Sequence, residues 1–295
     1  MQLLHNYKNG VNEISLHSDG TKIRTKLGPA EFPDHCDIKI TNYCDAGCAY
    51  CHEQSTIRGK HGDIDWLLGF IEELPSGFEL AIGGGNPLDH PDLTKLLEIC
   101  RDRGHIPNMT INQLHLESHK DQILAATKLT YGVGLSVRDV ESLEKVNYIK
   151  DNPHLVYHLI LGIHDFSDFI KLRSKNPDCK ILLLGYKQWG FGRKYKESER
   201  RSSDIDNRIK RWRAHIPHIL NISGVTSFDN LAITQLDLEN WFSPEEWREM
   251  YMGDDGEFSM YIDCLEKACA ISSTNPNKIK VENRSIKQCF ASLNV

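Results

Sequence analysis

Three cysteines fall within eight residues: "CDAGCAYC" places Cys44, Cys48 and Cys51 at spacings of four and then three. Thiolates hold zinc and iron–sulfur clusters. This spacing lets one loop wrap three thiolates around one face of a metal centre. A closed structural site ordinarily takes four protein ligands, whereas a site that does chemistry keeps a position open. On a four-iron cubane, three thiolates leave one iron without a protein ligand, open to a small molecule. Two plainer readings use the same residues: zinc with His52 as fourth ligand, or simple thiols.

A glycine run supplies a second candidate. In "ELAIGGGNPLDHPDL" (79–93), Gly83, Gly84 and Gly85 remove three side chains where a β-rich run ends. Bare backbone can then approach a ligand and offer its polar groups. A tight strand-to-helix turn needs one or two glycines, so three favour a ligand.

The elements that must position these residues alternate. β-rich runs lie at 36–42, 78–82, 108–113, 132–137, 155–162 and 180–186, each with the length of a buried strand. Between the first two, Ile64, Leu67, Phe70, Ile71 and Leu74 share one helical face. Leu93, Leu96, Leu97 and Cys100 share another, with Gly104 as a stop and Asp63 and Asp89 as caps or first-turn acids. Six strand–helix units imply a parallel α/β sheet with helices outside, doubly wound or a barrel. Ligands bind at the carboxyl ends of such strands, where the cysteines and the glycine run both fall.

The ends differ. Residues 1–33 carry "NG" and "DG" turn signals and predict a small antiparallel ribbon. Residues 34–218 make the core, and 219–295 a C-terminal, β-containing extension, with β-like runs in "ILNISGVTSFDNLAITQL" and "FSMYIDCLEKACAIS". The charged stretch 194–215 ends in a helix. Its plain reading is a solvated face, and its sharp one a contact for nucleic-acid phosphate or acidic peptide.

The chain has 295 residues and a net charge of −6, which gives no general case for nucleic acid or a membrane surface. No apolar run approaches the ~20 residues of a membrane span, and the first residues lack a signal-peptide pattern. A cytoplasmic chain is expected, with its nine cysteines as thiols or metal ligands.

"CDAGCAYC" resembles the CxxxCxΦC signature of the radical S-adenosylmethionine (radical SAM) superfamily, with Tyr50 as the aromatic Φ. "GGGNP" is similar to that family's "GGEP", with Asn86 in place of the acid and Pro87 matching. The resemblance covers roughly residues 35 to 190. It implies a partial (β/α)6 TIM-like barrel with a [4Fe-4S] cluster on Cys44, Cys48 and Cys51. The open iron would bind the amino and carboxylate groups of S-adenosyl-L-methionine. An electron would then split the sulfonium, and the 5′-deoxyadenosyl radical would abstract hydrogen from a substrate. Gly83, Gly84, Gly85 and Asn86 would lie at the cofactor's amino group. Asn112, Ser136 and Arg138, at the ends of strands three and four, would hold its carboxylate and ribose. Arg138 suits a carboxylate by geometry and permanent charge, and reads otherwise as a rim residue paired with Asp139 or Glu141. Gly185 and Tyr186 could lie along the adenine.

The implied partners are an electron donor such as a flavodoxin or ferredoxin, and a substrate that is a peptide or protein, or a nucleotide or nucleic acid base. Topology alone puts the substrate near Gln188, Trp189, Arg193, Asp229 and Asn230. Cys264, Cys269 and Cys289 contain no CxxC pair, which disfavours a second cluster, and the first two fit a β-hairpin in "MYIDCLEKACAIS". The competing reading is a non-catalytic zinc or iron–sulfur binding protein on a barrel scaffold.

Overall fold

Three short strands open the chain: β1 (Leu3–Asn9), β2 (Asn12–His17) and β3 (Lys22–Thr25). They pair antiparallel in the order β1-β2-β3, the ribbon that the turn signals predict. The six β-rich runs become β4 (His35–Thr41), β5 (Glu79–Gly84), β6 (Ile106–Asn112), β7 (Gly132–Ser136), β8 (Leu155–Ile160) and β9 (Lys180–Leu184). They lie side by side in chain order, every neighbouring pair parallel. Helices α1 (Ile64–Phe70), α2 (Leu93–Asp102), α3 (His115–Ser118), α4 (Lys120–Ala126) and α5 (Phe166–Lys175) connect them, with a 3₁₀ turn at Ser142–Lys145 after β7. The computed structural model describes residues 2–145 and 148–293.

After β9 come α6 (Gly190–Lys196), α7 (Glu199–Ala214) and α8 (Ile216–Asn221). Then follow β10 (Thr226–Phe228), α9 (Asn230–Leu236), α10 (Pro244–Met250), β11 (Ser259–Asp263), β12 (Ala268–Ala270), β13 (Ile279–Lys280) and α11 (Ile286–Leu293). The large sheet runs β10-β9-β8-β7-β6-β5-β4-β11-β12-β13. The final third of the chain therefore supplies strands to both edges. β10 adds parallel to β9, and β11 adds parallel to β4. The expected hairpin in "MYIDCLEKACA" is the antiparallel pair β11–β12.

One expectation is corrected. Residues 219–236 are not β-like throughout: only 226–228 are strand, between α8 and α9. Isoleucine and valine there mimic a strand, but tertiary context overrides such propensities. Pro217 fits the first turn of α8, and the Asp229 carboxylate accepts from Ala232 N to start α9.

Alternation decides which face does what. Leu80, Ile82, Met109, Ile111, Val133, Leu135, Leu159, Ile181 and Leu183 are buried against the helices. There they meet Leu67, Ile71, Leu96, Leu97, Phe169 and Leu172. The alternate positions turn inward and are half-buried and largely polar or small: Asn108, Thr110, Asn112, Gly134, Ser136 and His158. The result is a partial barrel with a polar inner face. In α7, Ile205 and Trp212 are buried, and Trp212 Nε1 donates to His164 O at 3.0 Å, so one face of this charged helix is anchored. No helix among the described residues is long and apolar enough to cross a membrane.

The ribbon meets the barrel at the starts of the strands. Lys180 Nζ, at the first residue of β9, donates to Asp19 O at 2.9 Å, and Tyr131 Oη donates to His17 O at 3.1 Å. Asp34, fully buried just before β4, is the knot. It pairs with Arg24, with Lys22 at 3.5 Å and with His35 Nδ1 at 3.0 Å, and its N–H donates to Phe258 O at 2.7 Å. Arg24 also lies over the Phe258 ring, 3.8 Å from its centre. With this end covered, the carboxyl ends of the strands face the cysteine loop.

Burial alone would raise the Asp34 carboxyl pKa, but Lys22, His35 and Arg24 outweigh it and hold the group well below its ordinary value. The stability Asp34 contributes is therefore present above an unfolded carboxyl pKa of ~3.9 and lost as pH falls below it. Asp34→Ala should cost ~3–5 kcal/mol at pH 7, because it strands a buried guanidinium. Urea unfolding at pH 7 and pH 3 checks this, and the gap between variant and parent should shrink at the lower pH.

Candidate metal and cofactor site

The cysteine loop leaves the carboxyl end of β4 and is laced to its own return path. Cys44 N donates to Thr56 O at 3.0 Å and Asn42 N to Lys60 O at 2.8 Å. The Thr41 hydroxyl meets His61 Nδ1 at 2.9 Å and receives Tyr43 N at 3.0 Å. Cys51 N donates to Cys48 O at 3.1 Å, turning the loop between its last two thiols. Cys44, Cys48 and Cys51 are all half-buried. Glu53 fastens the far side, pairing with Lys39 of β4 at 2.8 Å and accepting from Tyr261 Oη of β11 at 2.9 Å.

The glycine run closes on the start of this loop. Gly85 N donates to Thr41 O and Asn86 N to Tyr43 O, both at 2.7 Å. The three glycines then divide. Gly84 has φ +106°, and a methyl there would strike the Thr41 carbonyl. A methyl on Gly85 would overlap the Tyr43 carbonyl. Loop packing therefore accounts for both. A methyl on Gly83 would meet no atom within 4 Å. Gly83 lies on the inner face of β5, two residues after Ala81, so its bare backbone is open to a ligand.

Asn112 and Ser136 are register partners at the ends of β6 and β7 and share one level of the inner face. Asn112 Nδ2 lies 3.7 Å from Cys48 Sγ. Arg138 is exposed, and its backbone N–H donates to Gln113 Oε1 at 2.7 Å. Burial raises the Cys48 thiol pKa, and Cys51 adds to the rise, while Arg138 and Asn112 oppose it. Burial pushes the Cys44 thiol up to about 11. Metal binding must displace such protons, and the donors around Cys48 lower that cost. The structure thus brings Cys48 and Asn112 together, and the Arg138 charge is near enough to act on the Cys48 thiol. Tyr50 is half-buried with its ring edge-on to Tyr195 at 5.9 Å, and burial pushes its hydroxyl to about 12.

Other expected residues are engaged elsewhere. Asn86 is buried, and its side chain accepts from Leu88 N, donates to Asp89 at 2.7 Å and lies 3.4 Å from His119 Nε2. Gly185 N donates to Asp229 Oδ1, and Tyr186 Oη donates to Gly192 O at 2.7 Å. Asn230 donates to Asp255 at 2.8 Å. Cys264, Cys269 and Cys289 are buried in the hydrophobic core. His52, the candidate fourth zinc ligand, lies 3.5 Å from Lys187 Nζ and 3.6 Å from Glu53. Burial, Lys187 and Lys39 hold it well below its ordinary pKa, so it is a neutral imidazole beside these charged side chains.

Two features escape the sequence reading. Asp45 and His115 pair at 2.8 Å beside Cys44, and the three offer ligand atoms within 4.8 Å of one another. His115 is buried, and its Nδ1 has no partner. Helix α6 is the other. Phe191 N donates to Cys51 O at 3.0 Å, and Gly190, at φ +56°, backs onto the His52 carbonyl. The glycines of "GFG" were the available signal, since two residues without Cβ let this helix approach the loop.

The donor set fits a [4Fe-4S] cluster: three half-buried thiols on one braced loop, with an amide beside Cys48. Gly83 leaves open space on the inner face that a side chain would fill. Substitutions separate packing from binding. Gly83→Ala should leave stability within ~0.5 kcal/mol of the parent yet weaken S-adenosylmethionine binding to the cluster-loaded protein, measured by equilibrium dialysis. Gly85→Ala should destabilise the fold itself, by ~1–3 kcal/mol, in urea unfolding.

No family model matches the chain. It is 26% identical, over 160 residues, to the PqqA peptide cyclase of Ruegeria pomeroyi, covering 53% of this chain and 33% of that one. In fold it is similar to SuiB of Streptococcus suis. The TM-score is 0.61 against SuiB bound to the precursor peptide SuiA, with 15% identity over 89% of this chain and 65% of that one. Against SuiB bound to S-adenosylmethionine it is 0.62, with 14% identity over 88% and 65%. The chain therefore spans a third of the curated relative and about two thirds of SuiB. Cysteine motif, parallel partial barrel and relatives agree in being consistent with the radical S-adenosylmethionine superfamily.

Proposed function

We propose that this chain is a radical S-adenosylmethionine enzyme that acts on a peptide or protein. The observation that carries the proposal is one braced loop with three half-buried cysteines at the carboxyl end of β4, next to the open Gly83 at the end of the neighbouring β5. Cys44, Cys48 and Cys51 would hold a [4Fe-4S] cluster. When bound, the cluster would supply one electron to the sulfonium of S-adenosylmethionine, releasing methionine and a 5′-deoxyadenosyl radical that takes hydrogen from the substrate.

The chain's own residues bind, orient and exclude water. The three thiols leave one position for the amino and carboxylate groups of S-adenosylmethionine. Gly83 admits its amino end to the strand backbone. Arg138 offers a permanently charged, two-pronged donor to its carboxylate. Asn112 and Ser136 offer an amide and a hydroxyl from adjacent strands. The braced loop keeps these groups in fixed geometry, which such chemistry needs. The peptide class is favoured by the relatives, a peptide cyclase and a protein bound to a precursor peptide.

Anaerobic purification and reconstitution test the proposal. About four irons and matching sulfide per chain are expected, and dithionite with S-adenosylmethionine should yield 5′-deoxyadenosine. Replacing any one of Cys44, Cys48 or Cys51 with Ala should abolish the nucleoside. Zinc in place of iron, with no nucleoside formed, would leave a metal-binding barrel and sink the proposal.

A further inference from the structure

Radical chemistry on this site needs an electron from outside, and the structure offers a place to receive it. Between the cysteine loop and helices α6 and α7 lies an open cavity of about 480 Å³. Cys44 and Cys48 form part of its wall, opposite Lys194, Tyr195 and Arg201. Ile57, also on the wall, is 68% exposed.

The rim is cationic. Over residues 190–201 there are five basic side chains (Arg193, Lys194, Lys196, Arg200, Arg201) and two acids (Glu197, Glu199), a net of 5 − 2 = +3, in a chain of net −6. Lys196 is paired with Asp206. Lys194 and Arg201 have no carboxylate partner among the described residues and lie instead over the rings of Phe191 and Tyr195. Arg58 and Lys60 follow Ile57 on the loop, both exposed and likewise without a carboxylate partner. One carboxylate, Asp45, reaches the wall, and it is taken up by His115.

We propose that this face is the docking site of an acidic one-electron carrier protein of the flavodoxin or ferredoxin kind. An apolar centre ringed by unpaired cations is the complement of an acidic protein surface around a redox centre. Charge complementarity of this kind sets encounter rate and orientation. Position is the second argument: two of the three cysteines proposed to hold the cluster, Cys44 and Cys48, lie in the wall against which a carrier would seat. The face is stapled to that loop through Phe191 N to Cys51 O and the Tyr50–Tyr195 contact, so its geometry relative to the thiols is fixed.

The docking face rests on the proposed function, so the test reads binding and turnover separately. Cluster-loaded parent and the double variant Arg58→Glu/Lys194→Glu are titrated with a purified acidic flavodoxin at low and higher salt. Both are then assayed for 5′-deoxyadenosine with reduced flavodoxin and, separately, with dithionite. The variant should bind flavodoxin at least tenfold more weakly, and parent binding should weaken as salt rises, since exposed charges are screened. With reduced flavodoxin at sub-saturating concentration the variant should be at least tenfold slower, yet within twofold of the parent with dithionite. Charge reversal at Lys8, on the ribbon, should change neither. Unchanged flavodoxin binding in the double variant would overturn the proposal. Equal losses with flavodoxin and dithionite would also overturn it, assigning the face to substrate or cofactor entry. A parent that binds flavodoxin in this way but makes no nucleoside with dithionite would overturn the function and leave the docking face standing.

Discussion

Two backbone hydrogen bonds, Gly85 N to Thr41 O and Asn86 N to Tyr43 O, join the end of the second barrel strand to the root of the cysteine loop. Much of the site depends on them. They need the strand and loop backbones in direct contact, which forbids a side chain on Gly84 or Gly85. That contact fixes where Cys44 starts and leaves Gly83 as the open inner position beside it. The thiols are then carried by an element continuous with the buried sheet, so their spacing inherits the rigidity of the core.

The chain spends many polar groups on keeping this loop in place. Lys39, Glu53 and Tyr261 tie its outgoing end to β4 and β11, and the first turn of α6 caps the Cys51 carbonyl while Gly190 packs on that of His52. Such bracing is what a metal site with few protein ligands requires, because the surrounding hydrogen bonds orient the ligands. The C-terminal third of the chain takes part in this, since β11 supplies Tyr261 and Asp263 alongside Lys39. The opposite end of the barrel is treated differently. There the ribbon and the Asp34 knot join strand starts through buried ion pairs, which serve stability and leave the carboxyl ends to the cofactor.

The six barrel strands, the inward and outward faces of α1 and α2, the hairpin at 259–270 and the cysteine and glycine motifs were legible in the chain because each is local. Period two, period 3.6 and a three-thiol spacing are properties of neighbours in sequence. The stretch 219–236 was misread for the same reason: its isoleucines satisfy a strand pattern locally, and a proline and a capping aspartate, together with packing, made most of it helix. Asn86 and Asp229 show the limit for polar residues. Their types suit a ligand, but the fold gives both to hydrogen bonds within turns and caps.

By itself the sequence carried the candidate donor set, the parallel α/β class and the family resemblance. Residue type and short spacing encode which atoms can bind iron and which strands are buried. Tertiary structure alone decided that Gly83 differs from its two neighbours, that Asn112 stands by Cys48, and that His52 lies between Lys187 and Glu53. It also brought Asp45 against His115, and α6 with its cations against the loop. Each of these joins residues far apart in the chain through strand register and helix packing. Proximity of that kind has no signature in local sequence.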